Sequence, residues 1–88
     1  MRVRYDPDKA VANLEKHGVH FADAEGVLED PLALTAPDPD SEGEARFVAI
    51  GMGNAGELLV VIFTERSGEY RIISARRPTR KERESYEG

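Results

Sequence analysis

The chain has 88 residues, 40% of them hydrophobic and 33% charged, with no cysteine and a formal net charge of −5. These are globular proportions, so wholesale disorder is excluded. The lack of cysteine excludes disulfides and thiolate metal sites. The charge is unevenly spread: residues 21–45 hold eight acidic and no Lys or Arg residues, whereas residues 66–83 hold seven basic and two acidic ones. Two readings fit, namely one electropositive face on an acidic molecule, or solvated charges with no partner.

Arg2-Val3-Arg4-Tyr5 alternates charged and apolar residues, as a short edge strand does. Asp6-Pro7 then predicts a helix start, with Asp6 as N-cap and Pro7 at the first helical position. The helix runs to His17, presents Ala10, Leu14 and His17 on one face, and stops at Gly18. A second helix is predicted over Phe21–Glu29 with Phe21, Ala24 and Leu28 as its inner stripe. Asp30-Pro31 ends it, because the residue before proline is pushed out of the helical region.

Leu32-Ala33-Leu34-Thr35 fits an edge strand, and residues 37–44 form a polar turn. Arg46–Met52 and Glu57–Thr64 flank Gly53-Asn54-Ala55-Gly56, a hairpin signature. The second strand is apolar on both alternations and is expected at the centre of the sheet. Arg66–Glu69 makes the next turn, and Tyr70–Arg76 is the third strand of a meander. Pro78-Thr79 opens a last, mostly polar helix over Arg80–Tyr86.

Helices come first and strands later, which predicts an α+β fold. The two N-terminal helices are expected to pack on an antiparallel β-meander, with a short C-terminal helix and one domain over residues 1–88. The run Leu58–Phe63 is too short to cross a bilayer. The first residues lack an apolar signal core, so a cytoplasmic protein with no membrane contact is expected.

Gly51-Met52-Gly53-Asn54-Ala55-Gly56 fits G-x-G-x-x-G but lies between two strands and opens no helix, so the dinucleotide reading fails. His17 and His20 lack a third clustered ligand, and no metal or cofactor is expected. Strict alternation places Tyr70, Ile72, Ser74 and Arg76 on one face of the last strand and Arg71, Ile73, Ala75 and Arg77 on the other. Guanidinium groups such as these and Arg46 suit phosphodiester recognition, and they equally suit pairing with the many carboxylates. Lys16 and His17 also have two readings. They compensate a helix dipole, or they move protons and stabilise developing negative charge.

Four segments together resemble the BrnT family. They are Asp6–Phe21, Asp30-Pro31-Leu32, Glu44–Gly51 and Arg71–Glu87. Tyr5 stands where many relatives have tryptophan. The resemblance implies a RelE-like fold and a ribonuclease toxin of a type II toxin–antitoxin pair that inhibits translation by cutting RNA without an obligatory metal. It also implies a BrnA-like ribbon-helix-helix antitoxin, with operator DNA reached only through that antitoxin. The matching polar positions are Lys16, His17, Arg46, Arg71, Ser74, Arg76, Arg77 and Tyr86. On that basis His17 is the expected proton-transfer residue, Arg46, Arg71 and Arg76 bind phosphate, and Lys16 acts electrostatically. Arg77, Ser74 and Tyr86 are expected RNA contacts. The last helix is either part of the antitoxin interface or a cap over the sheet. A catalytically inactive toxin-like module, acting with its partner in operon DNA binding, is the rival reading.

Overall fold

Five strands form one sheet in the order β1-β5-β4-β3-β2. The structure, a computed structural model, describes Arg2–Gly88, and Met1 of the expected 1–88 unit lies outside the described residues. The elements are β1 (Arg2–Arg4), α1 (Pro7–His17), α2 (Phe21–Glu29), β2 (Leu34–Pro37), β3 (Phe47–Met52), β4 (Leu58–Arg66), β5 (Glu69–Arg76) and α3 (Arg80–Glu87). β2 to β5 form the expected antiparallel meander. β1 adds itself to β5 in parallel, so the sheet is mixed.

The helix signals act as their chemistry requires. Asp6 Oδ1 accepts from the Asp8 amide at 2.8 Å, and Gly18 closes α1 at φ 69° while its amide donates to the Leu14 carbonyl. The inner face of α1 departs from expectation. Asn13 is buried, whereas Leu14 is 37% exposed and Ala10 and His17 are half-buried. α1 lies along β5 where that strand has run past β1, and a side-chain amide there meets backbone groups that an alkyl chain would leave unpaired. In α2 the buried residues are Phe21, Ala24 and Val27, with Leu28 only half-buried.

β2 starts at Leu34, two residues later than expected. Asp30 Oδ1 accepts from the Leu32 amide and the Asp30 carbonyl accepts from the Ala33 amide, which hold residues 30–33 in a turn. The β3–β4 loop is fastened to α2: the Asn54 amide donates to the Asp23 carbonyl at 2.9 Å and Asn54 Nδ2 to the Ala22 carbonyl at 2.8 Å. This close approach requires Gly26, where a Cβ would stand 2.6 Å from the Asn54 nitrogen. Val19, Phe21, Ala24 and Val27 pack against Ala49, Leu59, Val61, Phe63, Ile72 and Ala75 to make the core on the helix-covered face.

Candidate functional site

The site begins with an irregularity in β5. Thr64 pairs with Arg71 and Phe63 with Ile72, but Ile62 pairs with Ser74, so Ile73 is an extra residue in β5. Such a bulge reverses the alternation beyond it. Ile72 and Ala75 both enter the core, and Arg71, Ser74 and Arg76 share the opposite face. The expected grouping of Ser74 and Arg76 with Tyr70 and Ile72 is thereby corrected. Arg71, placed apart from Arg76 by strict alternation, belongs on the same side as both.

The face away from α1 and α2 carries Arg4, Arg71 and Thr64 in one cross-strand row. Arg46 stands one residue before Phe47, which pairs with Phe63, so alternation puts Arg46 on that same face. The Arg46 carbonyl accepts from the Asp38 amide at 2.8 Å, which anchors its backbone. Among the described residues, the ion pairs join Arg4 to Glu69, Arg66 to Glu44, Arg76 to Glu82, Arg77 to Glu57, Arg80 to Glu84 and Arg83 to Glu87. Arg46, Arg71 and Lys16 are in none of them.

A second cluster adjoins this row. Lys16 and His17, at the end of α1, line a cleft of about 270 Å³ together with Lys9, Ala12, Asn13, Ile73 and Ser74. The bulged Ile73 fills the wall, and Ser74 sits one same-face step along β5 from Arg71. The structure therefore brings Lys16, His17 and Ser74 together, and β5 links them to Arg71.

Three of the expected site residues are held elsewhere. Arg76 Nη1 and Nη2 donate to Glu82 Oε1 and Oε2 at 2.8 and 2.9 Å. This fork-to-fork pairing holds the Glu82 carboxyl down at about 2, against the cost of burial, and raises the Arg76 guanidinium. Arg77 Nη1 donates to the His17 carbonyl at 3.2 Å and its Nη2 to Glu57 at 3.5 Å, so Arg77 caps the end of α1. Tyr86 donates its hydroxyl to Asp30 Oδ2 at 2.6 Å. That bond, with the Met52 and Leu32 amides, lowers the Asp30 carboxyl, and the Asp30 partner raises the Tyr86 phenol.

Sequence reasoning missed four contributors. Glu82 completes a capping box with Thr79, whose hydroxyl accepts from the Glu82 amide while Glu82 Oε1 accepts from the Thr79 amide. The T-x-x-E spacing at 79–82 is the signal for it. Asn13 and Thr64 gave no comparable signal, and Asp30 was legible only as a helix stop.

A mixed five-stranded sheet with three helices, which carries Arg46 and Arg71 on one face outside the ion pairs of the described residues, defines a small α+β protein. Residues 5–82 match the family described as the ribonuclease toxin, BrnT, of type II toxin–antitoxin systems, and the chain belongs to that family. Its structure is similar to the 1.1 Å crystal structure of the Brucella abortus ribonuclease toxin, BrnT, at 29% identity and a TM-score of 0.65, covering 91% of this chain and 99% of that one. Among curated proteins no relative matches. Membership in a type II family implies a protein antitoxin partner. Among the described residues no helix is long and apolar enough to cross a membrane.

Proposed function

We propose that this chain, acting as one unit, is a metal-independent endoribonuclease with a RelE-like fold that cuts RNA, inhibits translation in the cytoplasm and is neutralised by a BrnA-like ribbon-helix-helix antitoxin. Operator DNA is reached through the antitoxin. The observation that carries the reading is the bulge at Ile73, which sets Arg71 and Ser74 on one face beside the Lys16–His17 cleft. In the reaction, the RNA 2′-oxygen attacks the adjacent phosphorus. The bond to the leaving 5′-oxygen breaks, leaving a 2′,3′-cyclic phosphate and a 5′-hydroxyl. His17 moves a proton, Lys16 offsets charge on the phosphorane, and Arg46 and Arg71 hold the phosphate. Arg76 supports this face through Glu82 and offers its remaining edge to the backbone, Ser74 and Arg77 border the RNA path, and Tyr86 acts through its hold on α3.

The test is expression in bacteria with and without substitutions. Growth arrest is expected from the wild type and is lost in His17→Ala and in Arg46→Ala, with the circular-dichroism spectrum unchanged. Full toxicity in both variants rejects the site. The pairing of Arg76 with Glu82 favours the second reading, an inactive module acting with its partner on operon DNA, because it ties up one expected phosphate binder. That reading requires a wild-type chain that arrests nothing yet still binds the antitoxin.

A further inference from the structure

On the open face, the cations are sorted by position. The outer pair is neutralised: Arg4 by Glu69 at 3.1 Å, and Arg66 by Glu44. Between them lies a cleft of about 290 Å³ lined by Glu44, Thr64, Arg66, Glu69 and Arg71. Both carboxylates of that cleft are thus already engaged, while Arg71 is in no ion pair among the described residues. Thr64 is 7% exposed, one of two buried polar residues, yet no hydrogen bond to its hydroxyl is formed among the described residues, and no fully enclosed side-chain polar atom is left without a partner. Its hydroxyl therefore opens onto the cleft rather than into the core. A hydroxyl donor in the cleft wall beside a guanidinium outside those ion pairs gives two neighbouring donors for a ligand that accepts hydrogen bonds.

We propose that Thr64 and Arg71, with Arg46 on the β3 side, form an oxyanion site that binds a phosphodiester of the RNA backbone, with the Thr64 hydroxyl donating to a non-bridging oxygen. The Arg4–Glu69 and Arg66–Glu44 pairs wall the site and keep its own carboxylates off Arg71. The site deepens the ribonuclease reading and rests on it for the identity of the ligand, but its existence is testable without cleavage. It lies one same-face step down β5 from Ser74, which lines the Lys16–His17 cleft. The Thr64 hydroxyl accordingly adds a donor to the phosphate that Arg46 and Arg71 hold, and proton transfer is left to α1.

The test titrates the full chain with an uncleavable 2′-deoxy tetranucleotide, with inorganic phosphate and with adenosine, followed by calorimetry and amide NMR shifts. The tetranucleotide is expected to shift the Thr64 and Arg71 amides, and adenosine to leave them unmoved. Thr64→Val, which removes the hydroxyl and keeps the branched shape, is expected to weaken tetranucleotide binding about tenfold without changing its salt dependence. Thr64→Ser keeps the affinity, and Arg71→Ala reduces the salt slope by about one phosphate contact. Wild-type affinity in a folded Thr64→Val chain overturns the site, as does binding of inorganic phosphate there that the tetranucleotide does not displace. If RNA is cut but Thr64→Val binds normally, this site fails and the ribonuclease reading stands. If the tetranucleotide binds at Thr64 and no RNA is cut, the ribonuclease reading fails and the site stands.

Discussion

Asn13 and Ala75 close a ring of hydrogen bonds: Asn13 Nδ2 donates to the Ala75 carbonyl at 2.8 Å and the Ala75 amide donates to Asn13 Oδ1 at 3.0 Å. Asn13 Nδ2 also donates to the Val19 carbonyl at 3.0 Å. One side chain thus plays the part of a neighbouring strand on the stretch of β5 that β1 does not reach, and it joins α1, the α1–α2 turn and the sheet.

Replacing Asn13 with alanine or leucine leaves two carbonyls and an amide buried without partners. A loss of about 3 kcal/mol is expected, since each unsatisfied buried group costs about 1–3 kcal/mol. Urea denaturation measures it. The Val11→Ala variant, altering an exposed residue of the same helix, is expected to change stability by less than about 0.5 kcal/mol.

The Arg76–Glu82 pair makes stability depend on acid. The Glu82 carboxyl lies at about 2 in the folded chain, below its ordinary value of 4.5. The unfolded chain therefore takes up a proton first as pH falls. The stabilisation is fully present above about pH 5 and is lost as pH falls toward 2. Because both side chains are partly exposed, its worth is set at about 1–2 kcal/mol. Glu82→Gln is expected to lower stability at pH 7 by about that amount and to flatten the wild-type decline between pH 5 and 2. Chemical denaturation across that range provides the comparison.

Much of this architecture was legible because it is local. Asp6, Pro7 and Gly18 bound α1 by short-range capping, and the turn residues at 53–56 and 67–68 mark both hairpins. Ser67 at φ 53° and Gly68 at φ 80° make the two-residue β4–β5 loop. What was not legible depends on partners distant in sequence. The bulge exists only in the register of β5 against β4, and its single extra residue overturned the facial assignment of Ser74 and Arg76. The parallel docking of β1 on β5 joins residues more than sixty positions apart. The burial of Asn13 left no mark in the helix pattern because its partners, at Val19 and Ala75, come from a turn and a strand that the pattern does not contain. The cationic residues themselves were readable, but not which of them carboxylates would claim.

Tyr86 and Asp30 tether the end of α3 to the end of α2, where Met52 also donates its amide to Asp30 Oδ2 at 2.8 Å. α3 has no buried residue, so this bond and the Arg76–Glu82 pair are its principal holds. Tyr86→Phe is expected to increase amide exchange in α3 several-fold while leaving β3–β5 protected, as hydrogen–deuterium exchange can read. The phenol of Tyr86, raised by its Asp30 partner, is expected to ionise above the ordinary phenol range in an ultraviolet titration. Its contribution is present below the ordinary phenol value and is lost as pH rises through the raised one.

The face shared by Arg71 and Ser74 is expected to cut RNA through the 2′-oxygen. The direct measurement incubates a defined single-stranded RNA with purified chain in excess chelator and identifies the product ends. Cleavage to 2′,3′-cyclic phosphate and 5′-hydroxyl ends is expected from the wild type, with a fall of at least about a hundredfold in Lys16→Ala and in Arg71→Ala, in line with removal of one charge-stabilising group. Products ending in a 5′-phosphate, or undiminished cleavage by the folded Arg71→Ala chain, contradict it.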